Sequence, residues 1–365
     1  MAILEADGLV AEHVPSPAGP IEAATLPLAP ILPFGKLRTT LRFQRQNELM
    51  FRLRRVYGDV FRLNTLVHDN PITITSHPDH VRSLLTASPE DAPSVTGESP
   101  LRPIVGPSSV LTAVGPRHMR QRKLLLPPFH GEAVARYSDM IRDAAEKEVD
   151  TWSAGETLEI APRMQAVTLD VIMSGIFGVA GEAGTEAGQR LRVEIRKLAE
   201  LSVSPLGQLG ELLNTGSNEP VGLVKLALKP LDKAIHAIIA ERRGQAEETN
   251  DILSLLMRAT TEEGEHLTDA ELRDELVGLV LAGHETTANQ LAWTFERLVR
   301  TPDAYDALRS AVRDDDDAAA WFDATLKESQ RSRPVVQFIG RRVKGPWQFG
   351  EYALPAGTLT LVSIM

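Results

Sequence analysis

The sequence predicts a mainly α-helical protein with a minor β-sheet, and three observations support this fold class. From about residue 131 to residue 300, apolar residues recur at helical spacing with only short breaks. Short alternating or apolar runs near residues 59–75 and beyond residue 346 indicate a few strands. No linker clearly divides the chain, so we expect one domain over residues 31–365, after a Pro- and Ala-rich lead-in over residues 1–30.

The individual elements are predicted in order along the chain. In the N-terminal part we expect a helix at 37–56, strands at 59–63 and 72–75, and a helix capped by Ser76 with Pro78 and Asp79 in its first turn. The main helices that follow are expected at 132–152, 161–178, 185–201 and 223–248. The C-terminal part is expected to form strands at 347–349 and 358–364, with turns at 350–351 and 355–357.

The composition restricts the class of protein. The chain has 39 Lys and Arg against 49 Asp and Glu, and this net charge of −10 argues against a nucleic-acid binder. We expect a soluble cytoplasmic protein without a membrane span, because the apolar stretch 166–181 is interrupted by Asp170. The acidic run Asp314–Asp317 is expected to be a solvated helix end or loop. The lack of cysteine excludes disulfides and thiolate metal sites within these 365 residues.

A long helix is predicted between Thr268 and Pro302. Thr268 and Glu271 form a capping-box pattern at its start, and Leu267 can pack onto Leu272 as a hydrophobic staple. Some thirty residues in a helix span about 45 Å, which suggests that this helix runs through the centre of the protein. Its middle is apolar on all sides and is therefore expected to be buried.

The segment Ala282–Thr287, Ala-Gly-His-Glu-Thr-Thr, interrupts this buried helix with small and polar residues. The small residues suggest that a flat ligand lies close to the helix backbone. In addition, the Thr286 hydroxyl can hydrogen-bond a carbonyl one turn back, and such a bond bends a helix locally. The alternative is a kink at Gly283 with Glu285 paired to a nearby arginine. A zinc-protease motif fails, because the second histidine of His-Glu-x-x-His would fall at Ala288.

Two further residue pairs are candidates for a site. Glu328 and Arg331 lie three apart on a predicted short helix, which we expect to be partly buried because apolar residues flank the pair. Such a pair is also common on ordinary helix surfaces. His118 and Arg122 lie four apart in a basic segment and share a helix face, so they can clamp an anion together. The alternative for them is a solvated basic helix.

In their order, these motifs resemble those of cytochrome P450, specifically a soluble bacterial member. The resemblance extends from about residue 30 to the last residue, and no single motif carries it alone. Five matching segments occur in the family's order: Tyr57–Phe61, His118-x-x-x-Arg122, Ala282–Thr287, Glu328-x-x-Arg331 and Tyr352–Thr358. The implied fold is the cytochrome P450 fold, incomplete at its C-terminal end.

The resemblance also implies roles for the matched residues. Thr286 and Glu285 would be catalytic, the threonine in oxygen activation and the glutamate as a relay of protons from solvent. Ala282 and Gly283 would lie against the haem face. The haem propionates would be bound by His118, Arg122 and Arg341, with Arg342 as the alternative to Arg341. Glu328 and Arg331 would be structural.

The implied activity is a haem-dependent monooxygenase that inserts one oxygen atom of O2 into a small organic substrate. The implied cofactor is haem b with its iron. Electrons would arrive from NAD(P)H through a ferredoxin with its reductase or through a flavoprotein, docking near the basic segment Arg117–Lys123. Substrate contacts are expected near residues 90–110 and 165–215, without assignment to single residues.

The sequence departs from the family at the iron ligand. The family's cysteine loop lies downstream of the turn at Pro355–Gly357, and this chain contains no cysteine, so no metal ligand is assigned. We therefore expect a chain truncated before the Cys loop and the final helix. The alternative function is that of a pseudoenzyme or binding protein without thiolate-ligated haem and without activity.

Overall fold

The structure is a computed structural model, and it divides the chain into two compact units. It describes residues 14–45, 49–66, 68–129, 137–179, 185–202, 219–244, 249–261, 264–314 and 317–364, with the single residues 204, 207, 210, 214 and 217. Met1–Val95 with Gln337–Met365 form one unit, here called the sheet unit. Thr96–Val336 form the other, here called the helical unit.

The sheet unit contains every named strand that the structure describes. Its strands are β1 (Ala18–Pro20), β2 (Val60–Leu63), β3 (Ile72–Thr75), β4 (Phe338–Arg342), β5 (Trp347–Phe349), β6 (Tyr352–Leu354) and β7 (Leu359–Ser363). Its helices are α1 (Lys36–Arg45), α2 (Leu49–Tyr57) and α3 (Pro78–Thr86).

These strands form two small sheets. One has the order β1-β5-β6 and is antiparallel throughout. The other has the order β2-β3-β7-β4, in which β3 and β7 are parallel and the remaining neighbours antiparallel. A parallel pair needs a long crossover connection, and here the whole helical unit lies between the two strands in sequence. Apolar clusters around Trp347 and Phe349, and around Leu63 and Ile74, form the core of this unit.

The helical unit is built around one large apolar core. Its helices are α4 (Arg102–Val105), α5 (Gly115–Leu125), α6 (Tyr137–Val149), α7 (Ile160–Phe177), α8 (Glu186–Ser202), α9 (Gly222–Gly244), α10 (Ile252–Arg258), α11 (Asp269–Val280), α12 (Thr286–Arg300), α13 (Pro302–Asp314) and α14 (Ala318–Ser332). Fully buried Phe177, Leu253 and Leu276 lie at the centre of the core. Helix α9 shows the helical period clearly, because its buried residues, among them Leu228, Leu231 and Ile235, lie on one face.

The predicted fold class is confirmed, and most predicted elements are present. The helix predicted at 161–178 is α7, which ends where Gly178 adopts the left-handed conformation at φ 66°. Strands predicted at 59–63, 72–75 and 347–349 agree with β2, β3 and β5 to within one residue. The predicted helix at 37–56 corresponds to α1 and α2, and residues 46–48 between them lie outside the described residues.

Several local predictions need correction. The cap of α3 is His77 rather than Ser76, since the His77 ring accepts from the Asp79 amide while the Ser76 hydroxyl bonds to Asp59. Helix α13 and strands β1 and β4 were not expected. Helix α14 is longer than the short helix predicted around Glu328. Residues 1–13, 132–136, 245–248 and 315–316, to which predictions also refer, lie outside the described residues.

Among the described residues, no helix combines the length and the apolar character needed to cross a membrane.

Candidate functional site

The long central helix predicted from the capping box is present, with a wider turn in its middle. Thr268 and Glu271 form the capping box, with the Glu271 amide donating to the Thr268 hydroxyl at 3.2 Å and the Thr268 amide donating to the Glu271 carboxylate at 3.0 Å. Helix α11 then runs into a π-helical turn over Leu281–Glu285, and α12 continues from Thr286. The π turn therefore coincides with the Ala-Gly-His-Glu segment. Such turns are frequent at functional sites.

Thr286 stabilises this turn from inside the helix. Its hydroxyl donates to the Ala282 carbonyl oxygen at 2.5 Å, which confirms the predicted bond one turn back. A π turn displaces amides from the carbonyls they would otherwise meet, so a side-chain donor compensates one of them. Both residues are partly exposed, so the hydroxyl lies at a site that solvent or a ligand can reach.

His284 anchors the turn to α7, and the sequence did not indicate this contact. The ring is 4% exposed, and its Nδ1 lies 2.9 Å from the Thr168 hydroxyl oxygen. That hydroxyl already donates to the Met164 carbonyl at 2.9 Å, so the histidine nitrogen is the donor. Burial lowers the pKa of His284, so the ring is neutral near pH 7.

Gly283 brings the turn close to the same helix. A β-carbon at this position would lie 2.9 Å from the Ile172 side chain, closer than ordinary packing allows. The sequence suggested that glycine is needed here for a flat ligand near the backbone. The structure supplies a further reason, because α7 occupies the space that a side chain would take.

Glu285 lies beside a small cavity. The cavity measures about 10 Å³, and its other lining side chains are apolar except for His284. A water molecule needs roughly 10–15 Å³ of such space together with polar partners. The cavity therefore matches one water-sized site next to the carboxylate. Its apolar walls come from α8, α9 and α11, and Ile195, Ile235 and Val277 are examples.

The basic pair on α5 has no protein partner among the residues that the structure describes. His118 is half-buried, Arg122 is exposed, and neither makes a hydrogen bond or ion pair there. Arg120 on the same helix differs, because it lies 2.9 Å from Glu271 and 3.6 Å from Glu265. The pair His118 and Arg122 therefore remains a candidate for binding an anion.

A groove of about 910 Å³ runs beside this helix. Its lining includes Arg117 and Lys123, but also Glu265 and Glu271. The basic character predicted for segment 117–123 is therefore partly neutralised, since Arg120 is paired with both glutamates.

Arg341 lies in the sheet unit, on β4. Its guanidinium donates to the Gly340 carbonyl at 3.0 Å and forms no ion pair in the described part of the chain. Burial lowers its pKa, as expected for a cation held in protein without a carboxylate. Arg342, the alternative, is bonded to the Gly357 carbonyl at 3.1 Å on the exposed side. Of the two, Arg341 is the better candidate for binding an anion.

The Glu328 and Arg331 pair is bidentate but exposed, so the expectation of a partly buried pair was wrong. The two hydrogen bonds measure 2.7 and 2.6 Å, yet the side chains are 63% and 72% exposed. Ser329 is the single buried residue of α14, because this helix packs through one narrow face. There Gln290 and Thr294 of α12 bond to the Ser329 hydroxyl at 2.9 and 3.0 Å.

A mainly helical fold with a π turn in its long central helix, at the Ala-Gly-His-Glu segment, agrees with the cytochrome P450 resemblance of the sequence motifs. A sequence model described as "Cytochrome P450" matches residues 26–365. "Putative cytochrome P450 138" of Mycobacterium tuberculosis is 31% identical over 322 residues, which are 87% of this chain and 71% of that protein. "Putative cytochrome P450 135A1" of the same organism is 31% identical over 347 residues, 93% of this chain and 75% of that protein. The chain belongs to the cytochrome P450 family.

Solved structures agree with this fold. The structure "Retinoic acid bound cyanobacterial CYP120A1" has a TM-score of 0.74 at 21% identity, covering 93% of this chain and 77% of that one. The "Crystal structure of cytochrome P450DA heme domain" also has a TM-score of 0.74, at 20% identity and the same coverage. At this identity the likeness concerns the fold alone.

Proposed function

We propose that this chain forms most of a haem-dependent monooxygenase, which in its complete form inserts one oxygen atom of O2 into a small organic substrate. The second oxygen atom leaves as water, with two electrons from a ferredoxin or flavoprotein donor and two protons. Membership of the cytochrome P450 family supports this reaction class. The observation that carries the proposal is the π turn, in which Thr286, Glu285 and a water-sized cavity lie together.

In this proposal Thr286 and Glu285 handle protons. The Thr286 hydroxyl is oriented by the Ala282 carbonyl, which accepts its hydrogen and leaves the oxygen lone pairs available to a proton donor. Glu285 lines the cavity and can exchange a proton with a water there. Ala282 and Gly283 present a backbone surface without large side chains, against which a flat cofactor can lie.

The described residues include donors that are suited to binding the two propionate groups of haem. His118 and Arg122 supply unpartnered donors on one helix face, and Arg341 supplies a guanidinium without an ion pair. Each of these residues is a candidate for binding a propionate through charge-assisted hydrogen bonds. When bound, haem supplies the activation of dioxygen. No residue is assigned as iron ligand, because the chain contains no cysteine.

That lack of cysteine favours a second candidate, a non-catalytic P450-like protein. Thiolate donation to iron favours cleavage of the O–O bond, and these 365 residues contain no thiolate. A protein expressed with the coding sequence that follows residue 365 distinguishes the two. A thiolate-type Soret band of the reduced carbon monoxide complex, with product formation, supports the monooxygenase, whereas a reading frame without a cysteine loop supports the second candidate.

The propionate clamp is tested on the chain as it stands by titration with hemin, followed by the Soret band and by quenching of tryptophan fluorescence. We expect Arg122→Ala and His118→Ala each to weaken hemin binding roughly tenfold, which corresponds to about 1.4 kcal/mol. Arg300→Ala, which removes an exposed arginine paired with Glu296, serves as the matched control and should bind normally. Equal affinity for all four proteins contradicts the clamp.

The donor would dock on the face of α5 that carries Arg117 and Lys123. An acidic partner is the expected chemistry, but the neutralised Arg120 restricts the attraction to part of the groove. Association should therefore weaken with ionic strength.

A further inference from the structure

The loop between α4 and α5, residues 106–114, is held by two consecutive carboxylates of the central helix. The Ser108 amide donates to Asp274 Oδ2 at 3.0 Å. The Val110 amide donates to both carboxylate oxygens of Glu275 at 3.1 Å. Asp274 is 7% exposed and Glu275 is 0% exposed. Buried carboxyl groups are costly unless they are hydrogen-bonded, so their position against two loop amides is a specific arrangement.

The loop and the helix approach so closely that a β-carbon at a glycine on either side would displace a neighbouring side chain. Gly106 has φ +91°, and a β-carbon there would lie 2.0 Å from Asp274 Oδ1. On the helix, a β-carbon at Gly278 would lie 2.4 Å from the Ser109 hydroxyl oxygen. The loop is thus seated on α11, and we call this contact the loop seat.

The loop seat continues directly into α5. The Arg117 side chain of that helix donates to the Ser108 hydroxyl at 2.8 Å. One turn earlier on α11, Glu271 accepts from Arg120 at 2.9 Å and from Gln121 at 3.1 Å. Three acidic residues on one side of α11 therefore hold both the loop and the helix that follows it.

We propose that Asp274 and Glu275 are positioning residues that set α5, and with it His118 and Arg122, against the central helix. The role of the pair as a propionate clamp rests on the proposed function. The seating of the loop and of α5 does not, because it follows from contacts within the chain.

Glu275 makes the loop seat sensitive to pH. Burial, and to a lesser degree the charges of Asp274 and Glu271, raise the pKa of its carboxyl to about 8 in total, against the opposing effect of the Val110 amide. The ordinary value is 4.5, so the carboxyl is mostly neutral in the seated state at pH 7. The charged groups described around Glu275 come from three elements. Helix α11 itself carries Glu271, Arg273 and Asp274, α5 carries Arg117 and Arg120, and α9 carries Asp232, which is paired with Arg273.

The sign of the pH effect follows from this raised pKa. An opened loop lets Glu275 ionise at its ordinary pKa, whereas the seated loop keeps it protonated up to about pH 8. The loop seat is therefore most stable at low pH, and opening becomes up to about tenfold more frequent per pH unit until pH approaches the seated-state value. Glu275→Gln keeps an acceptor of the same shape and cannot ionise, so it should abolish this trend.

Hydrogen exchange on the hemin-free chain provides the first test. Opening of the Ser108 and Val110 amides is measured from pH 6 to pH 8 after correction for the intrinsic rate. We expect roughly a 10- to 100-fold rise across this range in the natural chain and in the control Asp269→Asn, which alters an exposed carboxylate of the same helix. Glu275→Gln should show no rise. A flat profile in the natural chain, or the same rise in Glu275→Gln, overturns the loop seat.

Gly278→Ala provides the second test. Alanine has a higher helix propensity than glycine, so α11 itself is not weakened, but the added β-carbon collides with the Ser109 hydroxyl. Faster exchange in α5 amides 117–122, together with several-fold weaker hemin binding at pH 7, supports positioning of the clamp. A loosened loop with unchanged α5 exchange overturns it. If the natural chain does not bind hemin, the propionate clamp fails on this chain, and the exchange of α5 still decides whether the acidic pair positions this helix.

Discussion

Removing the Thr168 hydroxyl tests whether α7 anchors the π turn. The change Thr168→Val keeps the shape of the side chain and deletes the acceptor of His284 Nδ1, which lies 2.9 Å away. The ring is 4% exposed, so bulk solvent has little access to the nitrogen that loses its partner. A buried donor without an acceptor costs about 1–3 kcal/mol, and we expect the free energy of unfolding to fall by this amount. The loss of the hydroxyl's bond to the Met164 carbonyl adds little, because that carbonyl belongs to a regular helix.

Denaturant unfolding measures this loss, and hydrogen exchange at amides 281–286 locates it. Thr151→Val is the matched control, since this exposed threonine of the helical unit also bonds a nearby backbone carbonyl, at 2.7 Å, but contacts no second helix. Its effect should stay within about 0.5 kcal/mol. Combining Thr168→Val with His284→Leu removes both partners, so the double variant should lose about 1–2 kcal/mol less than the sum of the single variants.

If Thr168→Val is as stable as Thr151→Val and leaves exchange in the π turn unchanged, the bond from His284 to Thr168 does not anchor the turn to α7. Additive single and double variants would likewise show that the histidine and the threonine do not interact.

Two further predictions concern catalysis and acid stability. In a cysteine-bearing extended protein, Thr286→Ala should uncouple NAD(P)H consumption from product formation while Thr286→Ser stays coupled, as measured from the ratio of the two; unchanged coupling in the alanine variant contradicts the proposed role. Although burial raises the pKa of Asp251, hydrogen bonds from Thr249, the Ser254 amide and Arg242 lower it below 3.8 overall. Its contribution to stability is therefore present above pH 3.8 and is lost as pH falls below it. Asp251→Asn should cost about 3–5 kcal/mol at pH 7 and flatten the acid limb of a pH-dependent unfolding series.

Local patterns predicted most of the helices but did not indicate helix α13 or strand β4. Helix α7 follows the apolar period and ends at a glycine, so its bounds were predicted to within one residue. Pro302 was interpreted as marking the end of the central helix, and α12 does end at Arg300, but the proline is also the first residue of α13, where its missing amide is tolerated. Strand β4 was not predicted because Phe338–Arg342 lacks clear alternation, and pairing with β7 determines its structure.

The residues of the candidate site were predictable where they depend on neighbours in sequence. The capping box and the bond from Thr286 to Ala282 lie within one turn, and the sequence indicated both. The anchor of His284 joins residues 116 apart, and the contact of Glu275 with the loop joins residues 165 apart. No local pattern encodes such separations. A signal was nevertheless present, since Asp274 and Glu275 lie inside an otherwise buried apolar helix, where carboxylates need a specific partner.

Contacts within the protein account for three residues of the segment around the π turn. Gly283 is accounted for by Ile172, His284 by Thr168, and Thr286 by the exposed Ala282 carbonyl, so each could be retained for the shape of the helix alone. Glu285 places a carboxylate at a cavity whose other lining side chains are apolar except for His284. Because a carboxylate beside a water-sized cavity can carry protons and an aliphatic side chain cannot, Glu285 is the residue of the segment that argues most directly for chemistry.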